Sequence, residues 1–126
     1  DKKIPGSRHY IHAKDVADGM LFLLQNQDKI SNLPNDYGGA KCPKFNLVGP
    51  VEWDNLVLAQ KIAMSQNKEL KYKMVDFHSS RPGHDLRYAL DGTLMKELGW
   101  EPKVSIDERI SQVVNWTLNN DRWLKL

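Results

Sequence analysis

The chain has 126 residues, 40% of them hydrophobic and 27% charged, with 18 Lys and Arg against 16 Asp and Glu for a net charge of +2. One domain over 1–126 fits that length, and a chain of this size is expected to bury roughly two-thirds of its unfolded surface. Scattered lysines and a small net charge argue against a nucleic-acid protein, no apolar run reaches membrane-spanning length, and the single Cys42 excludes an intramolecular disulfide and suits a reducing, cytoplasmic setting.

Arg8 precedes Tyr10, Ile11 and His12, which read as a strand entering the first helix. Asp15 is a good N-cap for that helix, with Val16, Met20, Leu23 and Leu24 on one face and an end near 25–28. Residues 30–43 hold Asn32, Pro34, Asn35, Asp36, Gly38 and Gly39 and read as a loop longer than most connections. A short strand over 44–48 precedes a helix over 51–66 that buries Leu56, Ala59, Ile62 and Ala63. Strands follow at 71–77, where Tyr72 and Met74 alternate with Lys71 and Lys73, and at 86–90, where Leu86, Tyr88 and Leu90 alternate with Arg87 and Ala89.

The next helix starts after Asp91, turns Leu94, Met95 and Leu98 inward and stops at Gly99, with Pro102 preventing continuation. The last helix is announced by Ser105-Ile106-Asp107-Glu108, a capping box, and carries the stripe Ile106, Ile110, Val113, Val114 and Thr117. Trp116 and Trp123 are expected to close its C-terminal end. The alternation of elements predicts a mixed α/β fold. The 44–48 strand has too few partners within the chain, which predicts an apolar surface left exposed where more of the protein would dock.

The run Arg81-Pro82-Gly83-His84-Asp85-Leu86-Arg87-Tyr88 concentrates the chemistry. Proline biases Arg81 toward extended backbone, Gly83 allows close approach, and a guanidinium matches phosphate oxygens with a planar fork of donors. A structural turn in which Arg81 or Arg87 pairs with Asp85 is the alternative. No metal site is expected: His9 and His12 point to opposite strand faces, and His78 and His84 lack ligand spacing. Asp18 and Glu52 near helix starts are explained by helix dipoles. No glycine-rich strand-to-helix turn is present, so no dinucleotide fingerprint exists.

The 81–88 run, followed by Ala89-Leu90-Asp91 and Leu98-Gly99-Trp100-Glu101-Pro102, resembles the C-terminal part of nucleotide-sugar 4,6-dehydratases of the dTDP-glucose type, in the extended short-chain dehydrogenase/reductase superfamily. The block 8–17, beginning Arg8-His9-Tyr10, the Phe45-Asn46-Leu47-Val48-Gly49 segment and Asn55 agree with that family in order and rough spacing. Val48-Gly49-Pro50 replaces the family's usual glycine pair, and Lys14 stands where an acidic or neutral residue is usual.

The resemblance implies the C-terminal substrate lobe of an extended Rossmann-type enzyme whose N-terminal dinucleotide-binding part, with its Tyr-x-x-x-Lys catalytic pair, is absent. It implies that Arg81, Arg8, His84 and Asn55 bind the diphosphate of a nucleoside diphosphate sugar, and that no catalytic residue lies in this segment, which is inactive alone. The parent enzyme is expected to be an NAD-dependent lyase of carbohydrate metabolism and a homodimer, with NAD held by the absent part. Another nucleotide-sugar epimerase or decarboxylase of the same superfamily, or a non-catalytic sugar-nucleotide-binding module, are the alternatives. Together with the resemblance, Asp1 in place of an initiator Met suggests a segment of a longer protein.

Overall fold

Elements in the computed structural model run β1 (Ser7–His9), α1 (Ala13–Gln25), α2 (Gln27–Ser31), β2 (Glu52–Asp54), α3 (Asn55–Met64), β3 (Arg87–Tyr88), α4 (Thr93–Glu97), α5 (Ile106–Leu118) and a 3-10 turn at Asp121–Trp123. Residues 4–33, 43–76, 79 and 82–125 are described. Cys42, Phe77, His78 and Arg81 lie outside them, as does most of the 30–43 loop.

β1 is the central strand of a mixed three-stranded sheet in the order β2-β1-β3. It runs antiparallel to β2, with Arg8 opposite Trp53 and His9 opposite Glu52, and parallel to β3, with Arg8 opposite Tyr88 and Ser7 opposite Arg87. Because strand side chains alternate, Ser7, His9, Glu52 and Arg87 share one face while Arg8, Trp53 and Tyr88 share the other.

β2 corrects the sequence expectation, which ran helix from 51. The Asp54 carboxylate accepts from the Val57 amide at 2.7 Å and so caps the helix at 55. The Asn55 amide donates to the Gly6 carbonyl at 2.8 Å, drawing the residues before it into the sheet. Glu52 is therefore a strand residue, and helix-dipole compensation does not explain it. The strands expected over 44–48 and 71–77 do not form among the described residues, and that over 86–90 shrinks to Arg87–Tyr88. Alternation without a neighbouring strand leaves the ladder unsatisfied; residue 46 is instead held singly, its side-chain amide donating to the Asp91 carbonyl at 2.9 Å. The strand expected at Tyr10–His12 lies earlier, at Ser7–His9.

α1 is capped by His12, not Asp15: the extended His12 accepts the Lys14 amide on Nδ1 at 2.9 Å. Asp15 lies inside the first turn, buried, and receives Nε and Nη2 of Arg109 from α5. The buried face of α1 centres on Asp15 and Gly19, while Met20 and Leu24 are exposed. A Cβ on Gly19 would stand 2.6 Å from Leu47 and 2.9 Å from Trp100. The indole of Trp100 fills that contact and donates to Asp18 at 2.9 Å, which gives Asp18 a specific partner in place of a general dipole.

α4 ends as expected. Gly99 has φ +98°, the Gly99 amide reaches the Lys96 carbonyl, and the Trp100 amide reaches the Met95 carbonyl, a Schellman motif. At the start of α5 the Ser105 hydroxyl accepts from the Glu108 amide at 3.2 Å. Its stripe buries Ile110 and Val114 but leaves Val113 exposed. Trp116 and Trp123 meet with ring centroids 6.2 Å apart, both more than half exposed, so they touch without closing the end of the helix.

Met95, Trp100, Ile110 and Val114 are the buried hydrophobic residues among those described. The accessible surface is 9573 Å², whereas about 6,900 Å² is expected of a compact monomer of this mass. An open groove of 460 Å³ lies between α3 and α5, walled by Leu58, Ile62, Ile110, Val113, Leu118 and Leu124. Ile62, expected to be buried, is one of its walls. Exposed large apolar residues also lie on α1, at Met20, Leu21 and Leu24, and around β3, at Leu86, Tyr88 and Leu90.

Candidate functional site: an open guanidinium on one sheet face

The two sheet faces treat their arginines differently. On the first, Arg87 donates from Nε and Nη2 to the two oxygens of Glu52 at 2.6 and 2.8 Å. Ser7 donates to the same carboxylate at 2.6 Å, and His9 Nε2 stands 3.7 Å away with its Nδ1 3.1 Å from the Gly49 carbonyl. These bonds, Arg87 first and Ser7 second, hold Glu52 down to a pKa of about 2 and raise that of Arg87. Arg87 therefore pairs across the sheet with Glu52, not along its own loop with Asp85.

On the second face Arg8 has no carboxylate partner among the described residues. Its guanidinium carbon lies 5.0 Å from the centre of the Tyr88 ring, and Nη1 is 3.4 Å from Oδ1 of Asn55. The Tyr10 hydroxyl donates to that same oxygen. A guanidinium has five donors in a plane, so most of those on Arg8 remain available to an incoming acceptor. An uncompensated, ring-stacked guanidinium beside an amide suits an anion with several oxygens.

Of the residues expected to form a diphosphate site, the structure brings Arg8 and Asn55 together from positions 47 apart in sequence. His84 is exposed and makes no hydrogen bond to either among the described residues. Arg81 lies outside them. Gly83 has φ +79° and nothing within 4 Å of its missing Cβ, so its glycine serves the backbone turn and not a close approach within the chain. Sequence reasoning missed Tyr10 and Tyr88 as members of this cluster. Alternation does place Tyr88 beside Arg8 once the β1–β3 register is known, but no local pattern gives that register.

A third guanidinium, Arg109, is closed by Asp15 and also donates to Gln112 at 2.9 Å. His12 beside it is held below its ordinary pKa, by burial first and the Arg109 charge second. That direction agrees with its acceptor role toward Lys14. Among the described residues no group of three or more His, Cys, Asp or Glu side chains converges as metal ligands. No helix there is long and apolar enough to cross a membrane.

This arrangement of a small sheet and surrounding helices has a solved counterpart. A dTDP-glucose 4,6-dehydratase from Bacillus anthracis, determined in complex with NAD, superposes with a TM-score of 0.68 at 23% identity, covering 94% of this chain and 33% of that one. The likeness defines the fold class as mixed α/β of the dehydratase type. A family profile described as GDP-mannose 4,6 dehydratase matches residues 3–113, and the chain belongs to that family. Among its relatives, dTDP-glucose 4,6-dehydratase of Streptomyces niveus is 36% identical over 117 residues, covering 92% of this chain and 31% of the relative. That of Xanthomonas campestris pv. campestris is 34% identical over 89 residues, covering 64% and 25%. The chain thus spans between a quarter and a third of the length of these relatives.

Proposed function

We propose that the chain is the nucleotide-sugar-binding portion of an NAD-dependent dTDP-glucose 4,6-dehydratase-like enzyme, and that residues 1–126 act as one substrate-binding domain of it. The observation that carries this reading is the open guanidinium of Arg8, stacked on Tyr88 and touching Asn55, in contrast to the two arginines, Arg87 and Arg109, that carboxylates close. Arg8 supplies charge and a planar fork, Asn55 supplies amide donors, and Arg81 and His84 approach the same diphosphate from the 81–88 loop. Binding energy at the diphosphate then orients the remote sugar carbon for reaction.

The chain's own residues do not fit a dinucleotide. Its eight glycines include no G-x-G-x-x-G, and those at 19 and 49 are consumed by close packing within the fold. NAD supplies hydride transfer in this chemistry, and that step, with the acid and base groups for water elimination, belongs to the remainder of the enzyme, a cytoplasmic homodimer. The 460 Å³ groove and the excess surface support the same division, since an apolar face this open is completed by packing against more of the enzyme.

The test is calorimetric titration of the 126-residue chain with thymidine diphosphate and separately with NAD. Diphosphate binding that weakens with salt, no NAD binding, and non-additive losses in Arg8→Lys and Arg81→Lys are expected. Tight NAD binding, or diphosphate affinity untouched in both variants, overturns the reading.

A further inference from the structure

We infer that Tyr10 is a positioning residue of the anion seat, its hydroxyl locking the Asn55 amide so that the nitrogen, and not the oxygen, faces a bound diphosphate. The inference rests on the diphosphate reading above and extends it to a residue outside that set. Arg8 carries donors only, so the Asn55 atom it meets must be the oxygen. At 3.4 Å that contact alone is too long to hold an amide firmly. The Tyr10 hydroxyl donates to the same Oδ1 and fixes the choice.

With its oxygen occupied twice, the Asn55 amide has its nitrogen left over. Nδ2 makes no hydrogen bond among the described residues and lies 3.5 Å from the point where a Cβ of Gly6 would stand. Asn55 is exposed, which leaves this nitrogen open to a ligand, while a Cβ on buried Gly6 would reach it only at ordinary van der Waals distance and press instead on the Leu86 carbonyl at 3.0 Å. The seat consequently presents donors alone: the free N–H groups of Arg8 and the two of Asn55. A flipped amide would turn an oxygen lone pair toward phosphate oxygens, replacing an attraction by a repulsion. Tyr10 prevents that flip from a distance, without needing to touch the ligand.

Tyr10→Phe removes the hydroxyl and keeps the ring, which lines the apolar groove. In ¹⁵N-labelled 126-residue chain, a nuclear Overhauser effect between the Asn55 side-chain NH₂ and the Gly6 Hα protons is expected, and it should fade in Tyr10→Phe while backbone resonances away from the seat stay put. Affinity for thymidine diphosphate should fall about tenfold in Tyr10→Phe, the scale of one hydrogen bond to a charged group. Tyr10→Phe should add nothing further in an Asn55→Ala background, whereas a merely structural tyrosine would weaken both backgrounds equally. A missing effect in the wild-type protein, or one unchanged in Tyr10→Phe, overturns the inference even if nucleotide binds. Equal losses in the two backgrounds overturn it as well. Wild-type protein that binds no thymidine diphosphate overturns the diphosphate reading and takes the ligand-facing role of Tyr10 with it. A Tyr10-dependent Overhauser effect would then identify the hydroxyl as a structural clamp only.

Discussion

The two faces of one small sheet are built from the same strands and diverge in what surrounds their arginines. On the Arg87 face every charge has its complement: Glu52 takes both donor pairs of the guanidinium fork, Ser7 adds a third bond, and His9 stands alongside. On the Arg8 face the register offers an aromatic ring and an amide where the first face offers a carboxylate. A closed network holds strands together, and an open one keeps donors for something else. The contrast teaches that the number of arginines near a sheet says little about binding until each one's partner is known.

Substitutions can break or sharpen that contrast, and the largest effect is expected where the faces share backbone. A Cβ on Gly49 would stand 1.9 Å from the Tyr10 carbonyl, so Gly49→Ala has to displace the end of β1. Overpacking of this kind costs ~1 to 3 kcal/mol or more, and a fall in Tm of at least about 5 °C is expected by calorimetry. Both faces should suffer, with nucleotide affinity falling as well. An unchanged Tm would mean that the close approach is not needed.

Gly6→Ala is narrower. Its methyl would press on the Leu86 carbonyl at 3.0 Å, shifting the β1–β3 edge beside Asn55, whose Nδ2 it would reach at an ordinary contact distance of 3.5 Å. Thymidine diphosphate titration should read a severalfold loss, with a smaller fall in Tm than Gly49→Ala gives. Equal falls would show that the glycine serves only strand packing.

Glu52→Gln addresses the closed face. The folded pKa of Glu52, about 2, lies below its ordinary value of 4.5, so its contribution is fully present above pH 4.5 and is lost as pH falls toward 2. The variant's Tm should therefore vary less with pH across that window than the wild type's, converging with it at the acid end. Nucleotide affinity at neutral pH should be unchanged, and a loss there would move Glu52 into the binding site.

Much of this architecture was legible in sequence where local chemistry decides it. Ser105 and Glu108 marked the start of α5, and Gly99 marked the end of α4, because caps depend on backbone groups a few residues away. The family resemblance nominated Arg8 and Asn55. What stayed hidden depends on tertiary pairing: β2 is only Glu52–Asp54 and sits in a stretch that reads as helix until Asp54 is seen to cap Asn55–Met64. The 44–48 stretch reads as a strand yet finds no ladder among the described residues. The inward face of α1 is set by Trp100 settling on Gly19, which no periodicity within the helix encodes. Likewise Asp15 looked like a cap, and its true partner Arg109 stands 94 positions away.

The central claim is that Arg8 is an open binding group and Arg87 a closed structural one, and matched lysine substitutions test it most directly. Lysine keeps the charge and loses the planar fork. Calorimetric titration of the wild-type, Arg8→Lys and Arg87→Lys chains with thymidine diphosphate should read a loss of roughly 10-fold or more for Arg8→Lys, the scale of hydrogen bonds to charged groups, and a change within about twofold for Arg87→Lys. Unchanged affinity in a folded Arg8→Lys chain, or an equal loss in both variants, would contradict it.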